Sequence, residues 1–335
     1  MKLRENTLKT KNKKVVMKTP KKIKIANLPT PIQKIEFRGT QFLIKRDDFT
    51  GTELTGNKIR KLDYILADVK KKNADYLFTS GGDQSNHARA TAIAARQIGV
   101  KTKLFLWGSE TQNPDGNLFL DQLVGTEIVY LSKNDYANVS SIMLEESKKL
   151  QKEGHKVYVL PSGGSTPLGL WGYINFMNEL KEQKKLTKIK GILSAYGSGG
   201  TSAGMLLGAA LLGSKIKIYV VNVLDDPEFV RSAIIQLVED AIVDFKLKVK
   251  VNYDNLIILD GYSEEGYKNI TDEKLKVIKE LFQTTGILLD PTYTGKAFYA
   301  FYENFLKEKK NCKILFVHTG GIFGVFPKRK KYLEA

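Results

Sequence analysis

Apolar residues along this chain follow two rhythms. Short runs rich in Ile, Leu, Val and Phe, such as Gln41-Phe42-Leu43-Ile44-Lys45-Arg46, have the length and branching of β-strands. Longer stretches place apolar residues three or four apart. The stripe Ile59, Leu62, Ile65, Leu66 and Val69 is the face of an amphipathic helix that begins at Lys58 and stops before Asn73. The two patterns alternate. Strands are expected at 76–79, 103–107, 127–131 and 156–160, with helices at 85–97, 118–124 and 139–153 between them. A second series follows, with helices at 168–184, 201–212, 228–245, 272–284 and 294–307 and strands at 191–195, 217–223, 256–259 and 313–317. Such alternation builds right-handed βαβ units and mostly parallel sheets. Two series in 335 residues predict two α/β domains, with no internal repeat or low-complexity linker. Open α/β sheets bind ligands at the carboxyl ends of their strands. Polar, glycine-bearing loops at those ends are therefore the places to look for function.

Composition narrows the class. The chain is 42% hydrophobic and 27% charged, as in ordinary globular proteins, and is long enough to bury a large core. No stretch is apolar enough to cross a bilayer and no secretory leader is evident, so no membrane role is expected. A single cysteine, Cys312, fits a cytoplasmic protein without disulfides. The three histidines (His87, His155, His318) lack metal-ligand spacing, so no catalytic metal is expected. The net charge of +17 is concentrated at one end. Residues 1–25 hold ten Lys and Arg against Glu5 alone, which reads as a basic, flexible arm. That arm has no aromatics for base stacking, and no zinc-finger or RNA-binding signature follows it, so nucleic acid is not expected as the partner.

The loops carry the chemistry. Lys58 sits where a glycine turn enters a helix, in Thr55-Gly56-Asn57-Lys58-Ile59-Arg60-Lys61. The field of the first turn and the charges of Arg60 and Lys61 should ease its deprotonation, and a neutral amine can form a Schiff base with a carbonyl. The same stretch nearly spells a P-loop, but Gly-Asn-Lys-Ile stands where Gly-Lys-Ser/Thr is needed. Gly197-Ser198-Gly199-Gly200-Thr201-Ser202-Ala203-Gly204 follows a strand and opens a helix, a place where free N–H groups can cup a phosphate or where glycines simply serve a tight turn. It is not a dinucleotide fingerprint, because Ser202 stands where the third glycine belongs. Ser85-Asn86-His87 fills another strand-to-helix turn, as a helix cap or as ligand-facing groups. Asp290-Pro291-Thr292-Tyr293-Thr294-Gly295-Lys296 and His318-Thr319-Gly320-Gly321 are two further polar loop ends.

Together these motifs resemble the ACC deaminase/D-cysteine desulfhydrase family of pyridoxal-phosphate enzymes, over residues from about 28 to 326. The resemblance implies the tryptophan-synthase-β fold type: two open three-layer α/β domains, the cofactor in the cleft between them, usually as a homodimer. On that pattern residues 26–58 and 174–335 form a large cofactor-binding domain and 59–173 a small one. Lys58 matches the lysine that holds pyridoxal 5′-phosphate and later moves protons. Asn86 matches the contact to the ring oxygen, and Ser85 matches the hydroxyl near the substrate carboxylate, with His87 beside it. Gly197, Ser198, Gly199, Gly200 and Thr201 match the phosphate loop. Tyr267 and Tyr293 match two tyrosines facing a small amino-acid substrate. The family's deaminases carry glutamate after the second tyrosine and leucine after the histidine of the last motif; here stand Thr294 and Thr319. The resemblance thus implies D-cysteine as substrate, with Thr294 at the substrate and Thr319 at the cofactor. ACC deamination, elimination from a related amino acid such as cysteate, and non-catalytic binding remain the alternatives.

Overall fold

The β-strand and helix alternation is realised in the computed structural model, which describes residues 19–308 and 311–334. In chain order the elements are β1 (Ile32–Phe37), β2 (Thr40–Arg46), α1 (Lys58–Lys71), β3 (Tyr76–Gly82), α2 (Asn86–Gln97), β4 (Lys101–Trp107), α3 (Gly116–Leu123) and β5 (Glu127–Leu131). There follow α4 (Lys133–Tyr136), α5 (Val139–Lys152), β6 (Val157–Val159), α6 (Trp171–Glu182), β7 (Gly191–Ala195), α7 (Gly200–Leu211), β8 (Lys217–Val221) and α8 (Pro227–Asp244). The last are β9 (Leu256–Leu259), α9 (Asp272–Thr285), α10 (Thr294–Phe301), β10 (Asn311–His318) and α11 (Arg329–Glu334).

The strands form two sheets, one of six in the order β1-β2-β10-β7-β8-β9 and one of four in the order β5-β4-β3-β6. Every pairing is parallel except β1 with β2. That hairpin was not expected from the apolar pattern. Phe37 pairs with Thr40 across Arg38-Gly39, both at positive φ, the two-residue turn that suits the twist of paired strands. As an edge strand, β1 shows only Phe37 fully buried, so its alternation is weak. The helix expected over 294–307 is regular only to Phe301 and continues as a wider π turn over Tyr302–Leu306.

The six-stranded sheet is covered on both faces. Ile192, Ile218, Val220 and Leu315 pack with Trp171, Tyr173, Leu206 and Ile234 from α6, α7 and α8. Phe42, Ile44, Leu193 and Phe316 pack with Leu275, Ile278, Phe298 and Phe301 from α9 and α10. Helix α1 joins the two sheets: Ile59, Leu62 and Ile65 pack with Leu77 and Leu160, while Tyr64 packs with the α6 core. Its Arg60 is 1% exposed and binds Asp47 after β2 and Glu179 on α6. Residues 19–25, expected as the end of a loose arm, are attached to α1. Ile25 N donates to Asp63 Oδ1 at 2.8 Å, and Ile23 N donates to the Asp63 carbonyl at 2.9 Å. Residues 1–18, the rest of that basic segment, lie outside the described residues.

Candidate active site

Loops at the carboxyl ends of β3, β6, β7 and β10 converge with the turn before α1 on one cavity of about 320 Å³. Their approach depends on absent side chains. A Cβ at Gly320 (φ 88) would lie 2.6 Å from Gly56 Cα, and Asn57 N bonds the Thr319 carbonyl at 3.0 Å.

Lys58 opens α1 and is half-buried in the cavity wall. Its amine donates to Asn57 Oδ1 at 3.0 Å, while Asn57 Nδ2 donates to Thr201 Oγ1 at 2.9 Å. Burial lowers the Lys58 pKa to about 8; Asp290 opposes that shift and Arg89 adds to it. The direction agrees with the expectation from sequence, but the cause differs. Arg60 points away into its two carboxylates, so exclusion of water does most of what its charge was expected to do.

The glycine loop faces Lys58. Gly197, Ser198, Gly199, Gly200 and Thr201 all line the cavity, and Gly199 (φ 78) precedes α7 in the left-handed region. Facing this loop is Ser162-Gly163-Gly164-Ser165, after β6, which was not singled out in the sequence. Ser165 Oγ lies 2.7 Å from Ser198 Oγ and accepts from Gly200 N at 3.1 Å. Lys61, one turn after Lys58, donates to the Gly163 carbonyl at 3.1 Å and to Ser165 Oγ at 3.2 Å. Burial pushes the Lys61 amine well down, and Lys58 adds to the effect. A Cβ on Gly200 would lie 2.5 Å from Ser165 Oγ and 2.7 Å from Lys61 Nζ, and one on Gly163 would lie 1.8 Å from Ser198 Oγ. The result is a cradle of N–H groups, hydroxyls and one amine with no room for side chains, the chemistry of a phosphate site.

At the start of α2, Ser85 Oγ accepts from Ala88 N at 3.2 Å, so it caps the helix and lines the cavity at once. Asn86 lines the cavity with Oδ1 bound to Asn117 Nδ2 at 3.1 Å. His87 also reaches the wall, but its ring is engaged by Thr79 at 2.9 Å and Thr91 at 3.4 Å. Burial, with Lys58 and Lys61 nearby, pushes its pKa well down and keeps it neutral. It is placed to orient its neighbours; substrate contact, expected from sequence, would require giving up those bonds.

Tyr293 and Tyr267 meet in the cavity, the Tyr293 hydroxyl donating to that of Tyr267 at 2.8 Å. Burial pushes Tyr267 up to about 12 and Tyr293 well above its usual value, so both are neutral phenols. Thr319 lines the cavity. Thr294 does not: it is 1% exposed, its hydroxyl donates to Asp290 Oδ1 at 2.5 Å, and the same oxygen accepts from Asp290 N at 2.9 Å. The expectation that Thr294 faces the substrate is corrected accordingly, because a buried carboxylate four residues earlier captures the hydroxyl. Asp290 instead reaches the wall, with Tyr293 N on Oδ2 at 2.8 Å and Thr294 N on Oδ1 at 2.8 Å. Sequence reading also missed Trp107, Tyr136 and Asp225 on this wall. Ser162-Gly163-Gly164-Ser165 could have been found, since it repeats the polar-glycine chemistry after a short strand; Asp290 lies in a loop already marked but without a role of its own, and nothing in the spacing marks Trp107. No group of His, Cys, Asp and Glu that could hold a metal occurs among the described residues.

The model of the family "Pyridoxal-phosphate dependent enzyme" matches residues 23–320. A bifunctional D-cysteine desulfhydrase/1-aminocyclopropane-1-carboxylate deaminase, mitochondrial, of Arabidopsis thaliana is 39% identical, over 91% of this chain and 79% of that protein. A putative 1-aminocyclopropane-1-carboxylate deaminase of Thermotoga maritima is 40% identical, over 92% of this chain and 99% of that protein. The crystal structure of an ACC deaminase homologue superposes with a TM-score of 0.86 at 37% identity, covering 94% of this chain and 96% of the other.

Proposed function

The chain belongs to the pyridoxal-phosphate dependent enzymes, and on that premise we propose that it eliminates sulfide from D-cysteine, with pyruvate and ammonia as the final products. The cavity suits the cofactor. Lys58 would hold its aldehyde carbon. The 197–201 loop, Lys61 and Ser165 would take its phosphate, and Asn86 its ring oxygen, with Thr319 beside the ring. Bound there, the cofactor supplies an electron sink for the pair left when an α-proton is removed.

The protein's own groups do the rest. Burial brings the Lys58 amine down to about 8, close to neutrality, so it is the base proposed for the α-proton. Ser85 Oγ and Asn86 would hold the substrate carboxylate near the start of α2, where N–H groups favour an anion. Tyr293 donates its proton to Tyr267, which leaves the Tyr267 O–H free to donate to the departing sulfur. Two neutral phenols are poor bases and serviceable donors at this position.

The observation that carries the substrate assignment is the chemistry at the two branch positions. Thr319 presents a neutral side chain to the cavity, and Thr294 is committed to Asp290, so neither supplies the carboxylate of the deaminase pattern. A weaker sink suffices when the leaving group is as good as a thiolate. ACC deamination is the second reading, favoured by the names of the Arabidopsis and Thermotoga relatives. Purified protein given D-cysteine, L-cysteine, ACC or cysteate, with keto acid and sulfide measured, separates them. Keto acid from ACC with none from D-cysteine would reverse the assignment.

We further propose the division into a large unit (26–58 and 174–335) and a small one (59–173), supported by the grouping of strands into two sheets, except that Trp171 and Tyr173 at the start of α6 pack with the large unit. A homodimer and a cytoplasmic location rest on the family pattern and the lone cysteine. No helix among the described residues is long and apolar enough to cross a membrane.

A further inference from the structure

Asn86 is one end of a polar chain that begins at a buried arginine. Arg89 on α2 is 0% exposed and can only donate hydrogen bonds. Its Nε donates to Asn117 Oδ1 at 3.1 Å. Its other nitrogens donate to the carbonyls of Glu53 and of Thr55, the latter at 3.1 Å, in the turn that leads to Lys58. Asn117, also 0% exposed, then has one possible orientation. Its Nδ2 must face away from the guanidinium, and it donates to the Gln84 carbonyl at 3.1 Å and to Asn86 Oδ1 at 3.1 Å. Reversing the amide would set an NH₂ against Arg89 and an oxygen against two oxygens. Asn117 N bonds Gln84 Oε1 at 3.0 Å, which holds the residue in place. With its oxygen taken, Asn86 can offer only Nδ2 to the cavity.

We propose that Asn117, set by Arg89, is a positioning residue that fixes Asn86 as a hydrogen-bond donor toward the cofactor's ring oxygen. The inference rests on the assignment of Asn86 to that oxygen. It accounts for a fully buried Arg-Asn pair behind the cavity wall that makes no contact with the cavity itself. A donor at the ring oxygen favours its anionic form. The visible absorbance band of the cofactor-loaded protein should therefore titrate at lower pH with the donor than without it.

The test compares Asn86→Ala, Asn117→Asp, Asn117→Ala and the double variant Asn86→Ala/Asn117→Asp. Two quantities are read: the titration midpoint of the visible band and the dissociation constant for pyridoxal phosphate. In Asn117→Asp the new carboxylate still accepts from Arg89 but has no N–H for Asn86. Asn86 should turn its NH₂ to that carboxylate and its oxygen to the cavity. The expected result is a midpoint moved upward at least as far as in Asn86→Ala, a dissociation constant raised roughly tenfold, and no further change in the double variant. Asn117→Ala, which removes the donor without adding charge, should move both quantities in the same direction by less, and it carries the test if the carboxylate variant does not fold. If Asn86→Ala shifts both quantities while the folded Asn117 variants match the unsubstituted protein, the positioning role is wrong. If Asn86→Ala shifts neither, the assignment of Asn86 to the ring oxygen fails, and the positioning role falls with it.

Discussion

Lys58 Nζ donates to Asn57 Oδ1 at 3.0 Å, and the other end of the Asn57 amide reaches Thr201 Oγ1 at 2.9 Å. The amine is thereby held on the side of the cavity that carries the glycine loop. Its pKa of about 8 makes it a cation below that pH and a nucleophile above it. The rate at which cofactor-stripped protein captures pyridoxal phosphate should rise as pH passes about 8 and then level off. Stopped-flow absorbance from neutral to alkaline pH checks this. A rate still climbing steeply near the pKa of an exposed lysine would mean that burial does not tune the amine.

Lys58→Ala should fold, lose the visible band and lower elimination by about a thousandfold or more, as loss of both cofactor anchor and base requires. With both proteins free of cofactor, its thermal midpoint should not fall, because among the described residues the half-buried amine bonds Asn57 alone. Retention of the band would place the anchor elsewhere.

Thr294 and Thr319 should separate by experiment. Thr294→Val removes the hydroxyl donor to Asp290 Oδ1 and the acceptor of Asp290 N, leaving the carboxylate to backbone N–H groups, at a cost of about 1–3 kcal/mol in denaturant unfolding. Thr319→Val should leave stability nearly unchanged but alter the ratio of D-cysteine to ACC turnover, since that side chain lines the cavity. Equal stability losses in the two variants would contradict the arrangement around Asp290.

Gly320 and Gly324 make a matched pair. A Cβ at Gly320 meets the backbone of Gly56 at 2.6 Å at a positive φ, whereas one at Gly324 meets nothing within 4 Å. Gly320→Ala should cost about 3 kcal/mol and weaken cofactor binding, and Gly324→Ala should stay within about 0.5 kcal/mol. Calorimetry of both, with cofactor titration, decides.

The buried cluster of Arg60, Lys45, Asp47 and Glu179 sets an acid limit. Burial alone would raise both carboxyls, but Arg60 and Lys45 hold them below their usual values. Carboxyls depressed in the folded state add stability that is complete above their unfolded pKa values of about 4 and is lost as pH falls through the folded ones. Stability should therefore hold from neutrality to about pH 5 and then fall in this cluster's window. Arg60→Met should cost about 3–5 kcal/mol at neutral pH, since it takes the guanidinium from two buried carboxylates and leaves Lys45 as the cation beside them. A variant with unchanged neutral-pH stability would show that the cluster does not anchor α1.

Much of the architecture is legible along the chain. The strands at 127–131, 191–195 and 256–259 and the helix from Lys58 appear where the apolar pattern puts them, because period 2 and period 3.6 are set by neighbours in sequence. Strand β1 is hidden because an edge strand with one fully buried residue has little pattern to show. The glycine loop, Lys58, Ser85-Asn86, Tyr293 and Thr319 are legible as polar groups at strand and helix ends, and they do line one cavity.

Which polar groups share that cavity, and which turn away, is decided only by the tertiary structure. Arg60 and Lys61 look alike beside Lys58 in the sequence, yet one is committed to Asp47 and Glu179 while the other faces the glycine loop. Thr294 is withdrawn by Asp290, and Asn117, distant in sequence, reaches Asn86 from behind the wall. Hydrophobic periodicity is local and survives in one dimension. The strength and direction of a charge or hydrogen bond depend on what excludes water around it, and that is settled only when distant segments close on one another.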